Sequence, residues 1–260
     1  MIRFYCIPDA KNPEESAVFS KEQDVLFEYN DFIFPDMLDD EQGVADRIEM
    51  YRKLNRDRSQ DTMHGAFFDV TVFSYDAKVR EISKLRMRQS MEIAKKMGLR
   101  AVVFHGNYLP FLKREQYDTN WLSCTEEVLR ELTKEYPETE IYLENMFEDT
   151  PDLLGVLAER LEDVKNFGIC LDYSHALLGS GEGATWFARL SKYIRHIHVN
   201  DHCFDGDVHM VPGDGQTDWV EFFRLKEKYA KDATIHCEVS GLVAAKKGIT
   251  FLRNIYKNEL

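Results

Sequence analysis

No stretch of this 260-residue chain approaches the roughly 18 consecutive apolar residues needed to cross a bilayer. The opening segment, Met1-Ile2-Arg3-Phe4-Tyr5-Cys6-Ile7-Pro8, has too short an apolar core for a secretory leader and runs at once into acidic residues. The expectation is a cytoplasmic protein with no membrane association. Cysteine is sparse: Cys6, Cys124, Cys170, Cys203 and Cys237 are scattered, odd in number and without a C-x-x-C pair. Such a set argues against a disulfide framework and against a thiolate zinc site. Cys6, Cys170 and Cys237 fall inside apolar runs, where a free thiol serves as a small core filler. No glycine-rich phosphate turn follows an early strand, which counts against a doubly wound nucleotide-binding sheet. Positive charge is also in deficit, with 33 Lys and Arg against 46 Asp and Glu, a net charge of −13. That surface repels phosphate backbones at long range, so nucleic acid is disfavoured as a partner.

What remains has the make-up of an ordinary globular domain, 44% hydrophobic and 30% charged. Short apolar runs at 2–8, 25–29, 62–67, 100–106, 140–145, 168–172, 194–200 and 234–239 read as eight strands. Amphipathic stretches at roughly 14–24, 40–56, 77–97, 115–136, 151–165, 183–191, 217–230 and 242–256 read as the helices between them. Val79, Ile82, Ile93 and Met97 share a helical face, and Gly98 follows as a stop. Thr150-Pro151-Asp152 reads as a helix start, and Ser123-Cys124-Thr125-Glu126 has capping-box spacing. No linker or low-complexity stretch divides the chain. Eight β-α units in about 250 residues predict a single (β/α)8 TIM barrel over 1–260.

Histidines and acids recur at the ends of these strands. His105 closes Ala101-Val102-Val103-Phe104-His105, Glu144 closes Ile141-Tyr142-Leu143-Glu144, and Asp172 closes Ile169-Cys170-Leu171-Asp172, with His175 three residues on. His198 closes Ile194–His198, Glu238 closes Ile235–Glu238, and His64 lies in the third strand. Closure of a barrel brings its C-terminal strand ends to one mouth. Imidazoles and carboxylates gathered there suit zinc, manganese or iron, and several pointing inward stay unsatisfied without a cation. His196 and His236 sit two residues before His198 and Glu238, one layer deeper on the same strand faces, and read as supporting or packing groups. His202 reads as a loop residue.

The strings Phe104-His105-Gly106-Asn107, Leu171-Asp172-Tyr173-Ser174-His175, His196-Ile197-His198-Val199-Asn200-Asp201 and Asp207-Val208-His209-Met210-Val211-Pro212-Gly213-Asp214-Gly215 resemble the xylose isomerase-like TIM-barrel superfamily. So do Leu143-Glu144-Asn145 and Cys237-Glu238-Val239. That superfamily holds sugar and sugar-phosphate isomerases and epimerases, and also endonuclease IV-type repair enzymes. By the resemblance, Glu144, Asp172, His198 and Glu238 match the four ligands of the epimerases' single metal. The three-zinc endonuclease branch implies further groupings: His64 and His105 with Glu144, then Asp172, His198 and Glu238 bridged by Glu144, then His175, Asp207 and His209. The implied cofactor is one to three divalent ions, zinc or manganese first, with iron, cobalt or magnesium as alternatives.

Two reaction classes follow from the resemblance. An isomerase or epimerase of a small sugar or sugar phosphate works through an enediolate, with Glu144 and Glu238 as acid–base pair and His175 binding a hydroxyl. The alternative is zinc-dependent phosphodiester hydrolysis at abasic DNA sites, which needs Lys or Arg near the mouth. The loops at 9–15 and 30–41 are acidic instead. Arg52, Arg56, Arg58, Arg80, Arg86 and Arg88 read as solvated outer helix faces. Phe32 and Phe34 read either as a lid over a small substrate or as a buried staple. A catalytically silent partner module is the third class. A homo-oligomer is compatible with all three.

Overall fold

Eight strands form the centre of the molecule: β1 (Phe4–Cys6), β2 (Val25–Tyr29), β3 (Thr62–His64), β4 (Ala101–His105), β5 (Glu140–Glu144), β6 (Phe167–Asp172), β7 (Ile194–Val199) and β8 (Thr234–Cys237). They were located in a computed structural model that describes residues 2–67, 69–112 and 114–259. Every neighbouring pair is parallel and β1 closes on β8, giving the TIM barrel that the alternation predicts. The surrounding helices are α1 (Pro13–Gln23), α2 (Pro35–Asp39), α3 (Glu41–Lys53), α4 (Ala77–Met97), α5 (Glu115–Glu135), α6 (Asp152–Arg160), α7 (Tyr173–Ser180), α8 (Gly183–Leu190), α9 (Trp219–Tyr229) and α10 (Leu242–Glu259). Among the described residues no helix is long and apolar enough to cross a membrane.

Side chains alternate across each strand, so the barrel has two cores of different character. The outward set, including Phe27, Phe104, Ile141, Leu143, Ile169, Leu171, Ile197 and Ile235, packs with helix residues such as Trp121, Leu129, Trp186 and Phe222 in one apolar cluster. Burying each of these large side chains stabilises the fold by roughly 1.5–3 kcal/mol. The inward set is different. Barrels of this kind usually fill their interior with branched aliphatics. Here Ala101, Val103, Tyr142 and Cys170 form only a small apolar cluster. Tyr5, Glu28, Thr62, His196, His198 and His236 occupy the interior beside them, all fully buried.

Several local expectations need correction. Short α2 and α7 interrupt segments expected as loops; Pro35 starts the first and the Asp172 carboxylate caps the second. Ser123 lies inside the continuous helix α5, whose N-cap is Arg114, so the 123–126 spacing caps nothing. Helix α6 starts at Asp152, with Pro151 just outside and no side-chain cap. Gly98 does end α4 in the left-handed conformation, at φ 71°. Ile82, however, is exposed. The buried face of α4 carries Ser83, Met87, Ser90, Met91 and Ala94, and its two serines accept the backbone N–H groups of Thr71 and Ala66.

Arg56 and Arg58 lie beyond the end of α3 rather than on it. Arg56 pairs with the buried Asp61 carboxylate and covers the Phe27 ring, so it is part of the core. Phe32 is fully buried and serves as a staple, whereas Phe34 is exposed. All five cysteines are free, and Cys6, Cys170 and Cys237 are buried as expected of fillers.

Candidate metal centre

The strands deliver the sequence-identified residues to one rim. His64, His105, Glu144 and Asp172 are the last residues of β3, β4, β5 and β6. His198 is one short of the end of β7, and Glu238 directly follows β8. Asn145 ties two of these positions together. Its side chain donates to the Asp172 carbonyl at 2.9 Å and accepts from the Asp172 N–H at 2.8 Å. Asp172 Oδ1 accepts from the His175 N–H at 2.7 Å, which starts α7 and sets His175 one turn away. The other oxygen, Oδ2, has no hydrogen-bond partner.

Glu144, Asp172, His198 and Glu238 each offer a donor atom within 4.8 Å of the others, and all four are buried. His198 Nδ1 lies 3.4 Å from Glu144 Oε2 and 3.2 Å from Glu238 Oε2. His64 and His105 form a second group with Glu144: their Nε2 atoms stand 3.1 Å apart and each is 3.5 Å from Glu144 Oε2. Glu144 Oε2 and His198 Nδ1 are buried with no hydrogen bond despite these short distances. A tetrahedral ion with bonds of about 2.0–2.2 Å holds its donors about 3.3–3.6 Å apart, so the spacing fits a cation.

The histidine orientations point the same way. The Nδ1–H groups of His64, His175 and His209 donate to the carbonyls of Gly65, Asn145 and Glu238, each at 3.0 Å. Each ring thereby turns Nε2 toward the mouth, the arrangement usual for ligating histidines. His175 and His209 direct Nε2 to the same oxygen, Asp207 Oδ2, at 3.2 Å each. This last trio meets at a carboxylate oxygen, and among the described residues it is not one of the groups whose donors all converge.

Electrostatics divide the carboxylates. Burial pushes Glu144 up, but His198 and His105 outweigh it and hold its carboxyl well below the usual range. The same contest, won by His198, brings Glu238 down to about 2. Asp172 goes the other way: burial raises it to about 7, opposed by His175 and assisted by the charges of Glu144 and Glu238. Burial lowers His105 to about 3. His209 rises to about 9 because the Asp207 carboxylate prevails over desolvation.

Above the rim lies a pocket of about 420 Å³, within the range of small-molecule sites. Phe67 packs against His64 and His105, and Phe147 against His175 at 4.5 Å between centroids. Asp69, Asn107 and His209 line it with positive φ of 61°, 49° and 48°, strain of the kind that collects at functional sites. Asn107 holds its loop by donating to the carbonyls of Phe67 and Val70. His202 is buried in its loop beneath Phe204.

One residue escaped the sequence reading. Glu28, in mid-β2, sits at the barrel centre, and His196 and His236 face it rather than the rim. The signal was a single acid inside Val25-Leu26-Phe27-Glu28-Tyr29, an otherwise apolar strand.

The family described as "Xylose isomerase-like TIM barrel" matches residues 25–255. Two uncharacterized proteins of Methanocaldococcus jannaschii are similar in sequence. One is 28% identical over 207 residues, 74% of this chain and 68% of that protein. The other is 27% identical over 164 residues, covering 62% and 63%. Among solved structures, a D-tagatose 3-epimerase-like protein superposes with a TM-score of 0.75 at 21% identity, covering 99% of this chain and 98% of its own. A Thermus thermophilus protein soaked with ZnCl2 gives 0.76 at 20% identity, with 98% of each chain covered. L-ribulose 3-epimerase gives 0.73 at 13%, covering 100% and 96%. At these identities the superpositions establish a common fold.

Proposed function

Because the chain belongs to the xylose isomerase-like TIM barrel family, we propose that it is a divalent-metal-dependent isomerase or epimerase of a small sugar. The convergence of the buried donors of Glu144, Asp172, His198 and Glu238 carries this reading. In it these four residues hold the metal, and their mixed nitrogen and oxygen donors suit zinc or manganese. His64, His105 and Glu144 offer a second position, and His175, Asp207 and His209 a third.

When bound, the cation supplies Lewis-acid polarisation of a substrate carbonyl. Glu144 and Glu238 are the proposed acid–base pair. One removes a proton from the carbon beside the carbonyl, leaving an enediolate, and the other returns a proton. His175, its Nδ1–H fixed on the Asn145 carbonyl and its Nε2 on Asp207 Oδ2, lines the pocket where a substrate hydroxyl would bind. Phe67 and Phe147 exclude water and offer apolar walls to the C–H face of a sugar ring or chain. Among the described residues no lysine or arginine lines the pocket, so we place a free sugar ahead of a sugar phosphate. Fold relatives described as sugar 3-epimerases support this substrate class.

The two additional histidine groups favour one second reading, a zinc-dependent phosphodiesterase at abasic DNA sites, since clustered cations suit a phosphodiester. The net charge of −13 and, among the described residues, a pocket lining without lysine or arginine weigh against it.

The test is proton NMR of metal-reconstituted protein in deuterated water with a panel of ketoses. Deuterium is expected to enter a carbon next to the carbonyl, with an epimer or isomer appearing, and Glu238→Gln stops both. No exchange with any ketose, together with cleavage of an abasic-site duplex at catalytic concentration, would replace this reading with the second.

A further inference from the structure

Below the rim the barrel interior holds a further convergence of donors, three of whose four residues take no part in the proposed chemistry. Glu28, His196, His198 and His236 each offer an atom within 4.8 Å of the others, and all are buried. Glu28 Oε1 lies 2.9 Å from His198 Nε2 and 3.0 Å from His236 Nδ1, and Glu28 Oε2 lies 3.2 Å from His196 Nε2. At such distances aligned N–H groups would be hydrogen-bonded. Glu28 Oε1, His196 Nε2, His198 Nε2 and His236 Nδ1 nevertheless have no hydrogen-bond partner. None of these three ring nitrogens is aligned for a hydrogen bond to Glu28.

His196 Nδ1 lies 2.5 Å from Thr234 Oγ1, which also lies 3.4 Å from the Arg195 carbonyl oxygen. Thr62 Oγ1 donates to Glu28 Oε2 at 2.7 Å. Thr234 and Thr62 thus orient a ligand histidine and the carboxylate, the supporting role that metal ligands ordinarily receive.

We propose that Glu28, His196, His198 and His236 form an additional transition-metal site, buried inside the barrel and joined to the rim through the His198 ring. Three imidazoles and one carboxylate make a closed tetrahedral set, which selects zinc or a similar borderline cation. His198 serves both groups, Nδ1 facing Glu144 and Glu238 and Nε2 facing Glu28. With both positions filled its ring is an imidazolate, and the proton leaves to solvent on loading. The interior ion replaces the aliphatic filling that this barrel lacks and fixes the ring on which the rim depends. Glu28, His196 and His236 lie outside the sugar chemistry, and His198 alone is shared with it.

The test uses intact protein loaded with zinc, then washed with EDTA. Anomalous diffraction at the zinc edge is expected to show a peak about 2.0–2.2 Å from Glu28 and the three imidazoles. About one zinc per chain is expected to resist the chelator, because folding encloses the ligands. Glu28→Gln and His236→Gln each lose that resistant zinc. Glu144→Gln keeps it, so failure of the rim reading and failure of this one are distinguishable. If either interior variant does not fold, the wild-type anomalous map decides alone. A zinc-loaded crystal with no peak among these four residues, whether or not the rim is filled, would sink the proposal and leave Glu28 as a hydrogen-bonding anchor of His198.

Discussion

Gly215 packs so closely on the carboxylate of Asp201 that a Cβ there would collide with it and stand 2.6 Å from the His202 carbonyl oxygen. Asp201 accepts from the N–H groups of Gly213 at 2.8 Å and Thr217 at 3.1 Å and from Trp219 Nε1 at 3.1 Å. An isolated bridge also pairs it with Met210. The acid thereby folds back the loop that carries Asp207 and His209 to the pocket. Gly215→Ala overpacks this turn and is expected to cost about 1–3 kcal/mol, read as a lower thermal midpoint. Zinc held by the strand-end ligands stays in place. An unchanged midpoint would show that the loop yields freely.

Glu238→Gln and Glu144→Gln keep size and burial but remove the proposed base. Loss of general acid–base catalysis is expected to reduce turnover by roughly 10²–10⁴-fold. Circular dichroism should remain that of the parent. Equal rates for parent and variant would remove the residue from the proton-transfer step.

Cations that bind only the folded chain stabilise it by mass action. Zinc at a hundred times its dissociation constant is expected to add about 2.7 kcal/mol to unfolding, visible as a rising thermal midpoint in a zinc titration. Asp172→Asn removes one rim ligand and should flatten that titration. A variant that responds to zinc as the parent does would exclude Asp172 from the ligand set.

Glu148 gives a pH-dependent term. Its side chain is buried, with Oε2 unpartnered. Burial pushes its carboxyl from 4.5 up to about 7; backbone donors at 146 and 148 and the His175 charge oppose this, and Glu144 adds to it. Between those values the folded protein keeps a proton that the unfolded chain has released. The contribution is therefore complete below pH 4.5 and is lost as pH rises through about 7. Glu148→Gln mimics the protonated form and should exceed the parent's stability near pH 8 by on the order of 3 kcal/mol. Near pH 4.5 the two should coincide. A constant difference across that range would refute the assignment.

The barrel was legible because each βα unit carries its own local pattern, and strand ends such as Phe104-His105 and Leu143-Glu144 break from apolar to polar within one residue. Convergence at the rim followed from closure. Glu28 was hidden because it sits mid-strand, and attention to strand ends passes over a layer deeper in the barrel. On α4 the expected face holds at Ile93 and Met97 but not at Ile82, and Ser83 and Ser90, polar by type, join the buried face by bonding to backbone inside the core. Helix α7 was missed because its first turn is also the Asp-x-x-His segment, a pattern that drew a chemical reading before a conformational one.

The donor atoms at the rim come from strand termini, whereas Asn30, Ile33, Asp69, Asn107 and Phe147, which shape the cup above them, come from the loops that follow. A loop exchange would therefore reshape the space above the rim while leaving the strand-end side chains of Glu144, Asp172 and His198 in place.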